Sequence, residues 1–326
     1  METIWKSEIT WNILFQNLGS WLKTPMEIFS FFGTEYFFLL LLPGFYWCVE
    51  TAIGIRVGVI LLLSLSVNDA LKMAFHGTRP YWVSSEVTRF ASETSFGVPS
   101  GHSQNSAAIW GMLAASLRKW WGWLIAILVI LLIGLSRIYL GVHFPHDVIL
   151  GWLIGVLPLW LVLRFWKPVT AWLKKMSLGQ QILASFLASL GLILFSLIPF
   201  LWLKITNWQP PQSWAEYAKD AISLSGAFTV AGTLFGLLAG LAWFSRQGGF
   251  RTNGPIWKRI LRFVLGVAGL LIFYVGLDVL FGLIAPDMEA VLPYILRYIR
   301  YAIVGIWVSA GAPWFFVKLK LAQKAA

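Results

Sequence analysis

All four histidines of this 326-residue chain, His76, His102, His143 and His146, fall in three short segments rich in polar residues. The first reads Lys72-Met-Ala-Phe-His76-Gly-Thr-Arg79-Pro80, the second Pro99-Ser100-Gly101-His102, and the third Ser136-Arg137-Ile-Tyr-Leu-Gly-Val-His143-Phe-Pro-His146-Asp147. These residue types ask for an oxyanion. Lys72, Arg79 and Arg137 supply three cations, two of them guanidinium forks that match phosphate oxygens bidentately. Ser100-Gly101-His102 opens an apolar stretch, so it sits where a helix N-terminus offers backbone N–H groups to an anion. Gly101 lets backbone approach such a ligand. His143 and Asp147 are four residues apart, which places them on one helical face if the helix has begun by there. A carboxylate on one imidazole nitrogen fixes the tautomer and leaves the other nitrogen as a nucleophile. His102 is then free to protonate a leaving oxygen. Phosphoryl transfer needs positioning and charge neutralisation above all, and this set offers both without a metal or other cofactor.

Taken together, K-x6-R-P, then P-S-G-H, then S-R-x5-H-x3-D resemble the type 2 phosphatidic acid phosphatase superfamily, which also includes glucose-6-phosphatase and the vanadium haloperoxidases. The three motifs match completely over about residues 68–150. The resemblance implies that His143 is a nucleophile that becomes phosphohistidine, that Asp147 orients it and that His102 is the general acid. It also implies Lys72, Arg79, Ser100, Gly101 and Arg137 as phosphate binders. In wording, Arg79-Pro-Tyr-Trp-Val83 and Ser136-Arg-Ile-Tyr-Leu140 look like the glucose-6-phosphatase branch, while many bacterial members act on phospholipid or polyprenyl (pyro)phosphates. The C-terminal Gln323-Lys-Ala-Ala326 carries no evident endoplasmic-reticulum retrieval signal. With a single cysteine, this suits a bacterial plasma membrane.

The elements that must position these residues follow from composition. Apolar residues make up 58% of the chain and charged residues only 12%, about half the charge of soluble domains. A water-soluble globule could not cover its surface on that allowance. One cysteine, Cys48, excludes an intramolecular disulfide and a cysteine-based zinc site. The net charge of +11 therefore speaks of membrane sidedness, not nucleic acid. Spans of about 20 apolar residues are expected at 29–50, 52–72, 99–117, 120–140, 146–166, 179–203, 221–244, 260–284 and 297–317. The last is the least regular, since Arg297 and Arg300 stand at its start. The first 22 residues mix Ile4, Trp5, Ile9, Trp11, Leu14 and Trp21 with polar residues and read as a helix lying in the interface, not a cleaved leader. The basic clusters Arg118-Lys119, Lys174-Lys175, Arg246 to Arg262 and Lys318 to Lys324 share one face, whose only acid is Glu50. Excess Lys and Arg marks the cytoplasm. The N-terminus is then outside, the C-terminus inside, and the loops 73–98, 137–145, 204–220 and 285–296 face outward with all three motifs.

The expected architecture is an all-α, polytopic membrane helical bundle. Residues 1–168 form the catalytic part and 169–326 a four-helix extension, with the boundary near Arg164 to Lys175, around Pro168. Tyr81, Trp82 and His76 are candidates to line a substrate pocket, although aromatic residues here also suit an interfacial belt. His146 is a candidate second proton carrier. Asp69 either holds Lys72 or ends its span in water. Gly232, Gly236 and Gly240 have the small-xxx-small spacing of packed helices. Asp278 is either an intramembrane acid or a solvated one near the outer end of its span. The function expected is a metal-independent phosphatase acting on a lipid phosphate or pyrophosphate at the outer face of the bilayer. Hydrolysis of a soluble phosphomonoester such as a sugar phosphate, and phosphotransfer to a lipid, are the enzymatic alternatives. A lipid-carrier transporter or scramblase is the non-enzymatic one, but headgroup binding alone needs neither His143 nor Asp147. Haloperoxidase chemistry does not suit so apolar a chain.

Overall fold

The computed structural model describes residues 2–285 and 291–325. Residues 286–290, part of the expected loop 285–296, and the side chains of Ile4 and Trp5 lie outside the described residues. Among the described residues there are thirteen α-helices: α1 (Glu2–Gln16), α2 (Lys23–Phe31), α3 (Glu35–Gly44), α4 (Thr51–Phe75), α5 (Pro80–Val83), α6 (Gly101–Leu117), α7 (Trp120–Tyr139), α8 (Pro145–Lys174), α9 (Leu178–Ile205), α10 (Ser225–Arg246), α11 (Ile256–Ile284), α12 (Val291–Ile306) and α13 (Ala312–Lys318). No strand occurs among the described residues; Arg251 and Gln323 form an isolated bridge.

Among the described residues, seven helical stretches are long and apolar enough to cross a bilayer: Thr51–Val83, Trp120–Tyr139, Pro145–Lys174, Leu178–Ile205, Ser225–Arg246, Ile256–Ile284 and Val291–Lys318. Ser20–Phe31 and Tyr36–Val49, bent by 49°, make an eighth if they count as one span. The expected span 99–117 is helical only from Gly101 and has 17 residues, because Pro99 and the Ser100 cap hold the preceding backbone out of the helix. At the other end of the motif region, α8 runs through Pro168 to Lys174 without a break.

The chain divides into two compact units. The first comprises the residues up to Phe38, Leu63–Arg164 and Ser196–Ser223. It contains all three motifs. Here α1 leaves Trp11 and Leu14 about half exposed while Asn12 is wholly buried, so one polar side chain points inward from an otherwise amphipathic helix.

The second unit comprises Leu39–Leu62, Phe165–Phe195 and Leu224–Ala326. Its core gathers Tyr46, Trp47, Phe244, Phe250 and Phe316. Tyr46 Oη donates to Ser309 O at 2.8 Å and Trp47 Nε1 to Val308 O at 2.9 Å. Both acceptors lie in the π-helical turn Trp307–Gly311, where widened backbone frees carbonyls. Asp278 pairs with Arg300. The small residues of α10 let it press on α12: a Cβ on Gly232 would stand 2.3 Å from Tyr298 O, and one on Gly236 2.0 Å from Ala302 O. With no hydrophobic drive between helices in lipid, such close backbone approach is what holds them together. Gly236→Val should therefore force the helices apart at a cost of about 1–3 kcal/mol. Gly276→Ala, where nothing lies within 4 Å, should be tolerated. Thermal unfolding in detergent followed by tryptophan fluorescence measures both; an unchanged midpoint for Gly236→Val would refute the close-packing account.

Candidate active site

The first motif ends one helix and opens another. Proline at 80 biases the preceding residue to extended backbone, and Arg79 sits at φ −116°, ψ 155°. Its guanidinium is fully buried and surrounded by acceptors. Nε donates to Ser95 O at 2.8 Å, Nη2 to Phe96 O at 3.1 Å and to Ser95 Oγ at 3.2 Å, and Nη1 to Val142 O at 2.9 Å. Lys72, in the last turn of α4, donates from Nζ to Ser95 Oγ at 2.7 Å. Loop 84–100 is thus tied down by two cations of the first motif.

The second motif starts α6. Ser100 is its N-cap, accepting from Ser103 N, and its own N–H donates to Asp147 O at 3.0 Å. A Cβ on Gly101 would stand 2.9 Å from Asn68 Oδ1, which is how near α4 comes to this turn. A buried polar seam continues from there: Asn68 Nδ2 donates to Gln104 Oε1 at 2.9 Å, Gln104 Nε2 to Ser64 O at 2.7 Å, and Ser64 Oγ to Asn105 Oδ1 at 2.7 Å. On the other side α8 approaches through glycines, since a Cβ on Gly151 would stand 2.6 Å from Ser100 O and one on Gly155 2.3 Å from Gln104 O. His102 stands in the first turn of α6, partly exposed.

In the third motif α7 carries Arg137 in its last turn. The chain then turns at Gly141, whose φ of +75° suits only a residue without a side chain. His143 follows, 1% exposed. Its Nδ1 faces Asp147 Oδ2 at 3.2 Å, and its Nε2 lies 3.2 Å from Arg79 Nη1. A carboxylate only accepts and a guanidinium only donates. Nδ1 therefore carries the proton and Nε2 the lone pair. Burial, then the Arg79 guanidinium beside it, push the His143 imidazole down to about 3, against the opposing pull of Asp147. The ring is neutral at ordinary pH, the state a nitrogen nucleophile requires. Phe144 N also donates to Asp147 Oδ2, at 2.9 Å.

Several partners were invisible in the sequence. Arg137 pairs with the Glu93 carboxylate and donates to Ser30 Oγ. Glu93 is one acid among several in the loops between apolar helices, and nothing in its neighbours marked it. Burial alone would push its carboxyl up, but Arg137, Arg79, His102 and Lys72 outweigh that and hold it well below the usual carboxylate range. Ser95 joins Lys72 to Arg79. From α1, Asn12 Nδ2 donates to Ile138 O at 2.8 Å and to His143 O at 3.0 Å. Tyr81 and Trp82 are buried, not spread over the outer surface. Trp82 stacks on Trp214 at 5.5 Å and on Tyr217 at 6.0 Å, and His76 meets Trp208 at 4.7 Å. An aromatic cluster from the 204–220 loop thus backs the first motif. His146 is partly exposed and pairs with Glu8 and Asp147.

Because the folded-state proton affinity of Glu93 is depressed, its contribution to stability is full above about pH 4.3, its unfolded value, and fades as pH falls toward the folded one. Glu93→Gln should therefore lower the thermal midpoint at pH 7, and the gap to wild type should begin to narrow below about pH 4. A gap independent of pH from 7 to 3 would contradict the ion-pair account.

Comparisons with known proteins identify the family. The PAP2 superfamily model matches residues 53–171, and that for the PAP2 superfamily phosphatase transmembrane extension matches residues 228–324. Glucose-6-phosphatase catalytic subunit 1 of Haplochromis nubilus is 26% identical over 289 residues, covering 78% of this chain and 78% of its own. Phosphatidylglycerophosphatase B of Bacillus subtilis is 29% identical over 168 residues, covering 48% of this chain and 80% of its own. Among solved structures, a transmembrane PAP2-type phosphatidylglycerolphosphate phosphatase from Bacillus subtilis aligns with a TM-score of 0.46 and 26% identity, over 52% of this chain and 89% of that one. The chain belongs to the PAP2 superfamily and is a multi-pass membrane phosphatase, a phosphoric monoester hydrolase.

Proposed function

We propose that this phosphatase hydrolyses a lipid phosphate or pyrophosphate through a phosphohistidine on His143, without a metal, at the outer face of the bilayer. The observation that carries the reading is the His143 ring, held by Asp147 on one nitrogen and presenting the other beside Arg79. In the first half-reaction the Nε2 lone pair attacks phosphorus. The bond to the leaving oxygen breaks, and that oxygen takes a proton from His102. In the second, His102 accepts a proton from water, which attacks phosphorus and releases inorganic phosphate from the restored imidazole. Lys72, Arg79, Arg137 and the first turn of α6 at Ser100 and Gly101 neutralise the phosphoryl oxygens. Tyr81, Trp82 and His76 wall the headgroup. We assign catalysis to residues 1–168 and leave 169–326 as a four-helix extension.

The motifs sit at the ends of apolar helices, the depth at which a lipid carries its phosphate. A second reading, a soluble phosphomonoester such as a sugar phosphate, is favoured by the glucose-6-phosphatase match, which extends well beyond the phosphatase segment. Phosphate release by purified protein in detergent, with excess chelator, separates the two: phosphatidate, phosphatidylglycerophosphate and undecaprenyl pyrophosphate against glucose 6-phosphate. Turnover of the sugar phosphate alone would overturn the lipid reading.

His143→Ala should abolish turnover, since it removes the attacking atom; a folded variant with more than about a tenth of wild-type activity would sink that assignment. Vanadate, which becomes five-coordinate on a histidine nitrogen, should compete with substrate, and EDTA should have no effect. Activity lost in EDTA and restored by Mg²⁺ would point to another mechanism.

The sidedness proposed is nine spans, counting α6 and the bent pair, with the N-terminus outside and the C-terminus in the cytoplasm of a bacterial cell. The one-sided basic clusters support it. Single cysteines at Ser92 and Gln247, both exposed, in a Cys48→Ser background, test it. Impermeant maleimide on intact cells should label position 92 and spare 247, and the reverse pattern would move the site to the cytoplasm.

A further inference from the structure

His146 touches a carboxylate with each of its ring nitrogens. Nδ1 meets Glu8 of α1, and Nε2 stands 3.0 Å from Asp147 Oδ1. Asp147 spends its other oxygen, Oδ2, on His143 Nδ1 and Phe144 N; Oδ1 makes no aligned hydrogen bond. The order in space is therefore Glu8, His146, Asp147, His143. Ionised carboxylates have only lone pairs to offer. A neutral imidazole has one N–H and no charge to set against two carboxylates. Two carboxylates at ion-pair distance, one beside each ring nitrogen, favour the ring with both nitrogens protonated, which makes His146 an imidazolium. Glu8 and Asp147 are the charged groups at ion-pair distance from it among the described residues, and Phe144 stacks on its face at 5.6 Å.

The helix that brings Glu8 is not loosely laid on the site. Besides the Asn12 bonds to Ile138 O and His143 O, Gln16 Nε2 donates to Tyr139 O at 2.9 Å and to Thr88 O at 2.8 Å. Three side chains spaced four apart, Glu8, Asn12 and Gln16, thus grip the turn that carries the nucleophile. That spacing lies along one helical face.

We propose that Glu8 and His146 are positioning residues that hold a fixed positive charge against Asp147, and so keep a proton on His143 Nδ1 throughout the reaction. The proposal rests on His143 being the phosphorylated residue. When Nε2 bonds to phosphorus and the leaving oxygen departs with a proton from His102, the ring becomes a phosphoimidazolium whose Nδ1–H is more acidic than before. A bare Asp147 would draw that proton. The later N–P cleavage would then have to expel an imidazolate, a far poorer leaving group than neutral imidazole. With His146 cationic at Oδ1, Asp147 accepts the hydrogen bond without taking the proton. Water then attacks phosphorus, the N–P bond breaks to the ring, and the imidazole leaves with its Nδ1–H in place.

This assigns His146 to the second half-reaction, which sets it apart from a residue that only supports the fold. The test is rapid-quench kinetics of the full-length protein in detergent with p-nitrophenyl phosphate. The p-nitrophenol burst reports phosphorylation, and the following steady rate reports breakdown of the phosphoenzyme. His146→Gln should slow the steady phase at least about tenfold while changing the burst rate by less than about threefold, and the burst amplitude should rise toward one per enzyme. Glu8→Gln, nearly isosteric, should move both in the same direction by less. A merely structural role would slow burst and steady phase together, or leave both unchanged, and either result in the two variants would overturn the proposal. Failure of the underlying reading looks different: wild-type enzyme would give no acid-labile phosphoenzyme, and His143→Ala would keep its turnover.

Discussion

A guanidinium leaves water only where acceptors replace it, because an uncompensated buried charge costs several kcal/mol. Arg79 is wholly buried, and its acceptors come from two distant stretches of chain: carbonyls of Ser95 and Phe96, and the carbonyl of Val142 with the ring nitrogen of His143. Satisfying one side chain therefore fixes loop 84–100 and the α7–α8 turn against the end of α4. Without that demand the first and third motifs would have no reason to meet. Arg137 repeats the arrangement with Glu93 and Ser30.

Bringing those segments together requires helices that approach more closely than bulky side chains permit. In lipid, exclusion from water does not drive helix against helix, and small residues with interhelical hydrogen bonds take over. Both devices surround α6. Gly151 and Gly155 let α8 lie against its first turns, while Asn68, Gln104, Ser64 and Asn105 bind it to α4. The result is that the α6 N-terminus, Asp147 and the end of α4 stand around one point, each tied to a helix body and not to a loose loop.

The residues with the most chemistry were legible in the sequence because residue type and short spacing carry that information. Lys72, Arg79, the Pro99-to-His102 segment, Arg137, His143 and Asp147 each stand within a motif of a few residues, and local structure alone places most of them. Glu93, Ser30 and Asn12 were not legible. They lie 44, 107 and 131 residues from the groups they bind, and an acid or amide in an outer loop or amphipathic helix is ordinary by itself. The same holds for Asp278 and Arg300. The arginine makes its span look doubtful and the acid looks stranded, until the fold pairs them and accounts for both. Span lengths erred at α6 for a local reason: Pro99 and the Ser100 cap set a start that hydropathy cannot see.

Charge in the site answers two requirements that usually conflict. A phosphate site wants as many cations as can be packed, whereas a histidine near anions tends to gain a proton and lose its lone pair. Here burial first, and then Arg79, the cation at His143 Nε2, keep the imidazole neutral, with its pKa at about 3, so the field that would receive phosphate works in the same direction as burial. Asp147 opposes this only from the Nδ1 side, where it settles which nitrogen keeps the hydrogen. Glu93 occupies Arg137 in the same space and is held ionised by the cations around it. An arriving phosphate would have to compete with that carboxylate for Arg137. In the proposed reaction this competition favours dianionic phosphate over anions of lower charge, because attraction to a site of net positive charge grows in proportion to the charge of the anion.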